Sequence, residues 1–428
     1  MSFDRRAFLR HAALGATGLT AGASLRGGAE PPATAALPGF DERGPEEFWR
    51  AVRAQFPISR ALAYFNTGGL GPAAQPALAT AAETTRRLQE QCEHGHALFA
   101  DARADVARFL GAEPAEIAFV RNATEGNAIV AAGLRRAPGD EIIFESHAHP
   151  GGSFPWFNQE KLRGVVVKLF EPDVQSAAGN VARIAGLLTP RTRVVQVSHV
   201  TAPTGIVMPV ADIARLCRER GVWFHIDGAQ SAGMFPFALR ELGCESFATS
   251  GHKWIGAPHE TGVLWVRRDR LGDVAPTLVG AYSGELDFLP GELRLADTAL
   301  RYEYGTRNAG AVLALAAATR FQEQIGRGRI AARGRALAAQ VRAGLARLPG
   351  VEILTPEAPE LCASMIAFRA PAVPFDRLFD RLFKDHAMRC RPVSEQKLNA
   401  VRVSTHVFNS PAECAALVAA VGKILRTA

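Results

Sequence analysis

Between residues 117 and 266 the chain repeats one alternation: a short apolar run, then a stretch with helical periodicity. Seven runs read as strands: Ile117–Val120, Glu141–Phe144, Val165–Phe170, Val194–Val197, Val222–Ile226, Ser246–Thr249 and Gly262–Val266. Strands joined by helical crossovers predict an α/β fold on a seven-stranded, mainly parallel sheet covered on both faces. Open α/β sheets bind ligands at the carboxyl ends of their strands. Two such ends carry ionisable side chains. Val222–Ile226 delivers Asp227, and Ser246–Thr249 delivers Ser250, His252 and Lys253.

An acid and a lysine separated by one helix and one strand fit the two contacts that pyridoxal 5′-phosphate (PLP) needs. The cofactor takes a carboxylate for its ring nitrogen and an amine for its aldehyde. Asp227 is the candidate for the first and Lys253 for the second, as the Schiff-base lysine. The structural alternative is a turn aspartate and a snorkelling lysine. The chain has only six lysines, so one set in Ser250-Gly251-His252-Lys253-Trp254 is not background surface charge. Burial beside a pyridinium and His252 predicts a depressed lysine pKa.

The phosphate needs donors. Asn122-Ala123-Thr124-Glu125-Gly126-Asn127 lies between a strand and a helix, where Thr124 can cap the helix while free N–H groups face an anion. Ser250 and His252 are further donors, and Gln230 is in reach of the ring oxygen. His149, upstream of Trp156, is predicted to stack on the ring. His147 and His149 alternate as metal ligands can, but no other well-spaced Cys/His/Asp set accompanies them.

The flanks divide the chain further. Residues 1–37 read as a twin-arginine leader and linker: Arg5-Arg6 sits in Ser2–Arg10, ahead of an Ala/Gly-rich run too short for a stable membrane anchor. This predicts export to the periplasm. Residues 38–60 form a segment packing on the body, 61–307 the large domain, 308–328 a connecting helix and 329–428 a small α+β domain. The loop Tyr64–Pro72, with four glycines or prolines around Leu70, is either a tight entry or substrate-facing, with Asn66 as its candidate substrate contact. Thr277–Arg301 reads as loop. A net charge of +7 without a Lys/Arg cluster argues against nucleic-acid binding. The six cysteines show no CxxC, and a disulfide is left open.

Taken together, these residues resemble class V aminotransferases, the fold-type-I PLP enzymes that include cysteine desulfurases and isopenicillin N epimerase. The resemblance spans Tyr64 to Asn409, and Asp227-Gly228-Ala229-Gln230 with Ser250–Trp254 is its most specific part. It implies that Asp227 pairs the pyridine nitrogen, Gln230 meets the ring hydroxyl and His149 stacks on the ring. It places Thr124, Glu125, Ser250 and His252 at the cofactor, with Thr306 reaching the phosphate from the partner of a homodimer. Arg402 matches the arginine that grips an amino-acid carboxylate. Desulfurases carry a reactive cysteine on the loop before that arginine, whereas Pro392–Lys397 has none; Cys390 precedes it. Trp254–Pro258 and Gly305–Arg307 are similar to the epimerase-like branch, which includes exported siderophore-tailoring enzymes. The expected activity is chemistry at the amino group of an amino acid or peptide-like metabolite. The alternatives are a desulfurase or C–S lyase, and a non-catalytic PLP-binding module.

Overall fold

The structure is a computed structural model that describes residues 37–287 and 289–427. All but the last residue of the predicted leader lies outside the described residues. The seven expected strands form one sheet, in the order Ile117–Val120, Gly262–Val266, Ser246–Ser250, Trp223–Asp227, Thr192–Ser198, Glu141–Glu145, Val166–Phe170. Gly262–Val266 runs antiparallel to both neighbours, and the remaining pairings are parallel. Strands covered on both faces read as continuous apolar runs, and Trp223–Asp227 and Ser246–Ser250 are buried throughout. Val166–Phe170 is the edge strand and stays partly exposed.

The small domain carries a four-stranded antiparallel sheet, ordered Glu352–Ile353, Met365–Arg369, Ala400–Ser404, Arg391–Val393. Helices Arg327–Leu345, Phe375–His386 and Pro411–Arg426 cover it. Gly326, at φ +94°, ends the buried, alanine-rich helix Ala309–Ile325 and begins the next. Among the described residues no helix is long and apolar enough to cross a membrane.

Two readings change. Ala63–Tyr64 is a strand, paired in parallel with Met388–Arg389, and Asn66 bridges to Ser404. The segment before Pro72 thus belongs to the small domain's sheet edge as much as to the large domain. A strand this short carries no alternation to read. Thr277–Arg301 is also more than a loop: Gly284–Asp287 and Glu292–Leu295 pair as an antiparallel hairpin. Its leucines 286, 289 and 293 are exposed, so it lacks the buried face that makes a strand legible.

Candidate active site

Asp227 is the last residue of its strand and Ser250 the last of the next, so both emerge at one sheet edge. There the chain turns through Gly251–Ile255, and Lys253 takes φ −114°, ψ −113°, outside the helical region. The Tyr64–Pro72 loop lies on this turn. Gly71 N–H donates to the His252 carbonyl at 2.8 Å, and a Cβ on Gly71 would stand 1.8 Å from the Lys253 oxygen. Only glycine fits that approach.

A cavity of about 230 Å³ opens between this edge and the small domain. Lys253, Asp227, Thr124, His149, Gln230, Ser250, His252 and Arg402 all line it. Asn66 stands behind Arg402, its Oδ1 accepting from Nη2 at 3.1 Å. Two predicted residues lie elsewhere. Glu125 turns away to accept the Arg121 N–H and lines an outer cleft with Tyr304. Thr306 is exposed in a separate cleft beside Arg121 and Glu260.

Each wall residue has a local cause. Asp227 accepts from Asn127 Nδ2 at 2.9 Å and from the Ala229 N–H at 3.0 Å. Asn127 is oriented in turn by His225, whose Nε2 meets Asn127 Oδ1 at 2.9 Å, while His225 Nδ1 meets Ser246 Oγ at 2.8 Å. Trp223 Nε1 donates to the same Ser246 oxygen at 2.9 Å. The directions therefore run one way, from the indole through serine, imidazole and amide to the carboxylate. Burial presses the His225 pKa down to about 4, so the imidazole is neutral and the relay is held.

The predicted cap is corrected. Asn122, not Thr124, caps helix Ala123–Gly133, its side chain accepting from the Glu125 N–H at 3.0 Å. Ser250 Oγ accepts the Ala123 N–H at 3.0 Å. Thr124 follows at a position with no intrahelical acceptor for its N–H. His149 caps the helix Pro150–Arg163, its Nδ1 accepting from Gly151 N–H at 3.0 Å; burial and then Lys253 lower its pKa. Gln230 donates to the Gly68 carbonyl and accepts from Trp254 Nε1, both at 2.8 Å, which leaves one amide hydrogen free.

Lys253 is pushed down to about 8, first by burial, with Asp227 opposing and Arg402 and Arg391 adding to the fall. The direction is the expected one, but the neighbouring cations are arginines rather than His252. His252 itself is pressed to about 4, by burial and then Lys253. Asn127 and Arg391 are lining residues with no expectation attached to them in the sequence. Asn127 stood inside a motif valued for its phosphate end, and Arg391 had no motif at all.

The residues present fit PLP. His252 Nδ1 is buried without a partner, the Thr124 N–H is free of the helix, and the amine and carboxylate share one cavity. A Cβ on Gly151 would meet Thr124 Oγ1 at 2.3 Å, and one on Gly152 would meet Asp227 Oδ2 at 2.9 Å, so the floor is kept clear by glycine. Among the described residues no group of three or more His, Cys, Asp or Glu is placed to hold a metal, and all six cysteines are free.

Fold and site together define a PLP-dependent enzyme. The aminotransferase class-V family model matches residues 74–383, and the chain belongs to that family, in its isopenicillin N epimerase-like branch. It is 32% identical over 401 residues to an isopenicillin N epimerase of Amycolatopsis lactamdurans, covering 88% of this chain and 98% of that enzyme. A probable cysteine desulfurase of Pyrococcus abyssi is 28% identical, covering 84% of this chain and 93% of its own. Among solved structures, a lysine-to-alanine mutant of C-DES with glycine covalently linked to the PLP cofactor superposes with a TM-score of 0.78 at 28% identity, over 86% of this chain and 98% of that one. The cofactor is PLP.

Proposed function

We propose that the protein acts on the amino group of an amino acid or peptide-like metabolite, with aminotransferase- or epimerase-like chemistry, as in natural-product or siderophore tailoring. The observation that carries this reading is that one cavity holds a lysine near pKa 8, a fixed aspartate and a buried arginine. When bound, PLP supplies an electron sink for the carbon beside the substrate's amino group. Lys253 Nζ, partly neutral at physiological pH, takes a proton from that carbon and returns one. Asp227, held by Asn127 and the Ala229 N–H, presents Oδ2 as a fixed acceptor for the ring nitrogen. Arg402, oriented by Asn66 Oδ1 and the Ala202 carbonyl, takes the substrate carboxylate and sets which bond faces Lys253. His149, a neutral cap, offers its ring as a stacking surface, and Thr124, Ser250 and His252 take the phosphate. Thr306 serves the partner's site in a homodimer, which its exposure outside its own cavity supports. Comparing periplasmic metabolites by mass spectrometry with and without the gene tests the reading. A changed amine-bearing metabolite is expected; an unchanged amine pool sinks it.

A desulfurase or C–S lyase is the second reading, favoured by the relatives and by a structural neighbour, the cystine C–S lyase C-DES. Cys390 weighs against the desulfurase. It is buried in the small domain's core and burial pushes its thiol up to about 12, so it supplies no thiolate. Sulfide released from cysteine by Cys390→Ala as fast as by the wild type favours the lyase.

We propose export of the enzyme to the periplasm, on the twin-arginine pattern at Arg5-Arg6. Arg5→Lys with Arg6→Lys strands it in the cytoplasm; undiminished periplasmic yield refutes export by this route.

A further inference from the structure

Arg391 and Arg402 are direct partners in neighbouring antiparallel strands. Residues opposite each other in such a pair point to the same face, and both arginines line the cavity. Like charges placed directly opposite destabilise a sheet. One carboxylate accompanies them: Glu395, ion-paired to Arg391 Nη2. Two guanidinium nitrogens stay buried without a partner, Arg391 Nη1 and Arg402 Nε. Both cations bear on the reacting end of the cavity, since each lowers the Lys253 pKa.

Two cations in register with spare buried donors leave room for more negative charge than Glu395 brings. Arg402 is already braced by Asn66 and Ala202, which suits a fixed hold on one carboxylate. Arg391 lies on the outer strand of the small sheet, beside the loop with Glu395 and Gln396. Gln396 Nε2 donates to the Ser146 carbonyl, tying that loop to the large domain.

We propose that the substrate is a dicarboxylate: its α-carboxylate binds Arg402, and a second, distal carboxylate binds Arg391, sharing that guanidinium with Glu395. Arg391 is thus a specificity-determining residue. A fork of five donors can hold Glu395 on one edge and a substrate oxygen on another. This rests on the amino-group reading given above and narrows it to acidic amino compounds.

The test is a titration of the bound cofactor's visible absorbance in the holoenzyme. Glutamate and 2-aminoadipate are compared with norvaline and norleucine, matched in chain length but lacking the second carboxylate. The wild type is expected to bind the better of the two dicarboxylates about tenfold tighter than its partner, the size of one charge-assisted contact. In Arg391→Gln that ratio falls to about one, and in Arg391→Lys, which keeps charge but not the fork, it is intermediate. Cofactor content per subunit confirms that each variant is folded. A wild-type ratio near one overturns the proposal, as does an Arg391→Gln variant that weakens both ligands while keeping the ratio. If none of the four amino acids shifts the spectrum, the amino-group reading itself has failed.

Discussion

The two walls of the cavity are built differently. On the large-domain wall the side chains around Asp227 are already engaged by protein: Asp227 has two donors, Gln230 two partners, and Ser250 holds the Ala123 N–H, while His252 Nδ1 stays open at the phosphate end. On the small-domain wall two guanidinium nitrogens have no partner. A satisfied buried network fixes its geometry before any ligand arrives. Donors left open wait for an anion. The first wall holds what every turnover shares, and the second meets what differs between substrates.

The sharpest way to break this division is Lys253→Ala. Loss of the group that moves the proton lowers turnover by at least about 10³-fold, and borohydride no longer fixes the cofactor to the chain. The fold stays, because Lys253 makes no side-chain hydrogen bond among the described residues and the turn around it is held by backbone contacts such as Gly71 N–H to the His252 carbonyl. Turnover within tenfold of wild type removes Lys253 from the mechanism. Next comes Arg402→Gln. Removing one partner of a buried charge pair costs about 2–5 kcal/mol, so norleucine affinity falls by about 30-fold or more while pentylamine, which lacks the carboxylate, is little affected. Equal losses for both make Arg402 a structural residue.

The same two walls explain what could be read from the chain. The large-domain wall was legible because strand ends have periodicity before them and chemistry at them; the Asp227 and Lys253 turns are both local. The relay behind it was not, since His225, Ser246 and Trp223 look like strand residues until the sheet aligns them with Asn127. Arg391 and Arg402 meet only through strand register, which no local signal reports for a three-residue strand such as Arg391–Val393. The Thr124 cap failed for a simpler reason: Asn122 and Thr124 are both good caps, and the site of the first helical turn decides between them.

Smaller effects sharpen the contrast. With Lys253 at about 8, about a tenth of it is neutral at pH 7 against far less than a hundredth for an ordinary lysine. The rate of PLP uptake by apoprotein should rise about tenfold per pH unit below 8 and level off above it. A rise continuing to pH 10 shows that burial and the arginines do not depress this amine. Asn127→Ala then isolates the relay. It strips one donor from Asp227 and leaves His225 Nε2 unanswered, each worth about 1–3 kcal/mol, so PLP affinity falls about tenfold or more, read by cofactor release on dilution. Asn127→Asp, which turns the donor into a like charge beside Asp227, should be worse than alanine; the reverse order means that Asn127 only fills space.

The smallest effect lies two strands from Asp227 in the same sheet. Glu145 Oε1 accepts the Ser198 N–H at 3.0 Å, and Ser198 pairs with Asp227 in register. Its Oε2 has no partner, and burial pushes the carboxyl up to about 7. The folded state therefore holds this proton more tightly than the unfolded chain does. Its stabilising share is complete below about pH 4.5 and is lost as pH rises towards 7. Glu145→Gln copies the protonated form and escapes that loss. The variant's Tm should exceed that of the wild type by a few degrees at pH 8, with the gap closing by pH 4.5. A gap of equal size at both pH values places the effect in packing, and the large-domain wall then keeps no titrating group behind Asp227.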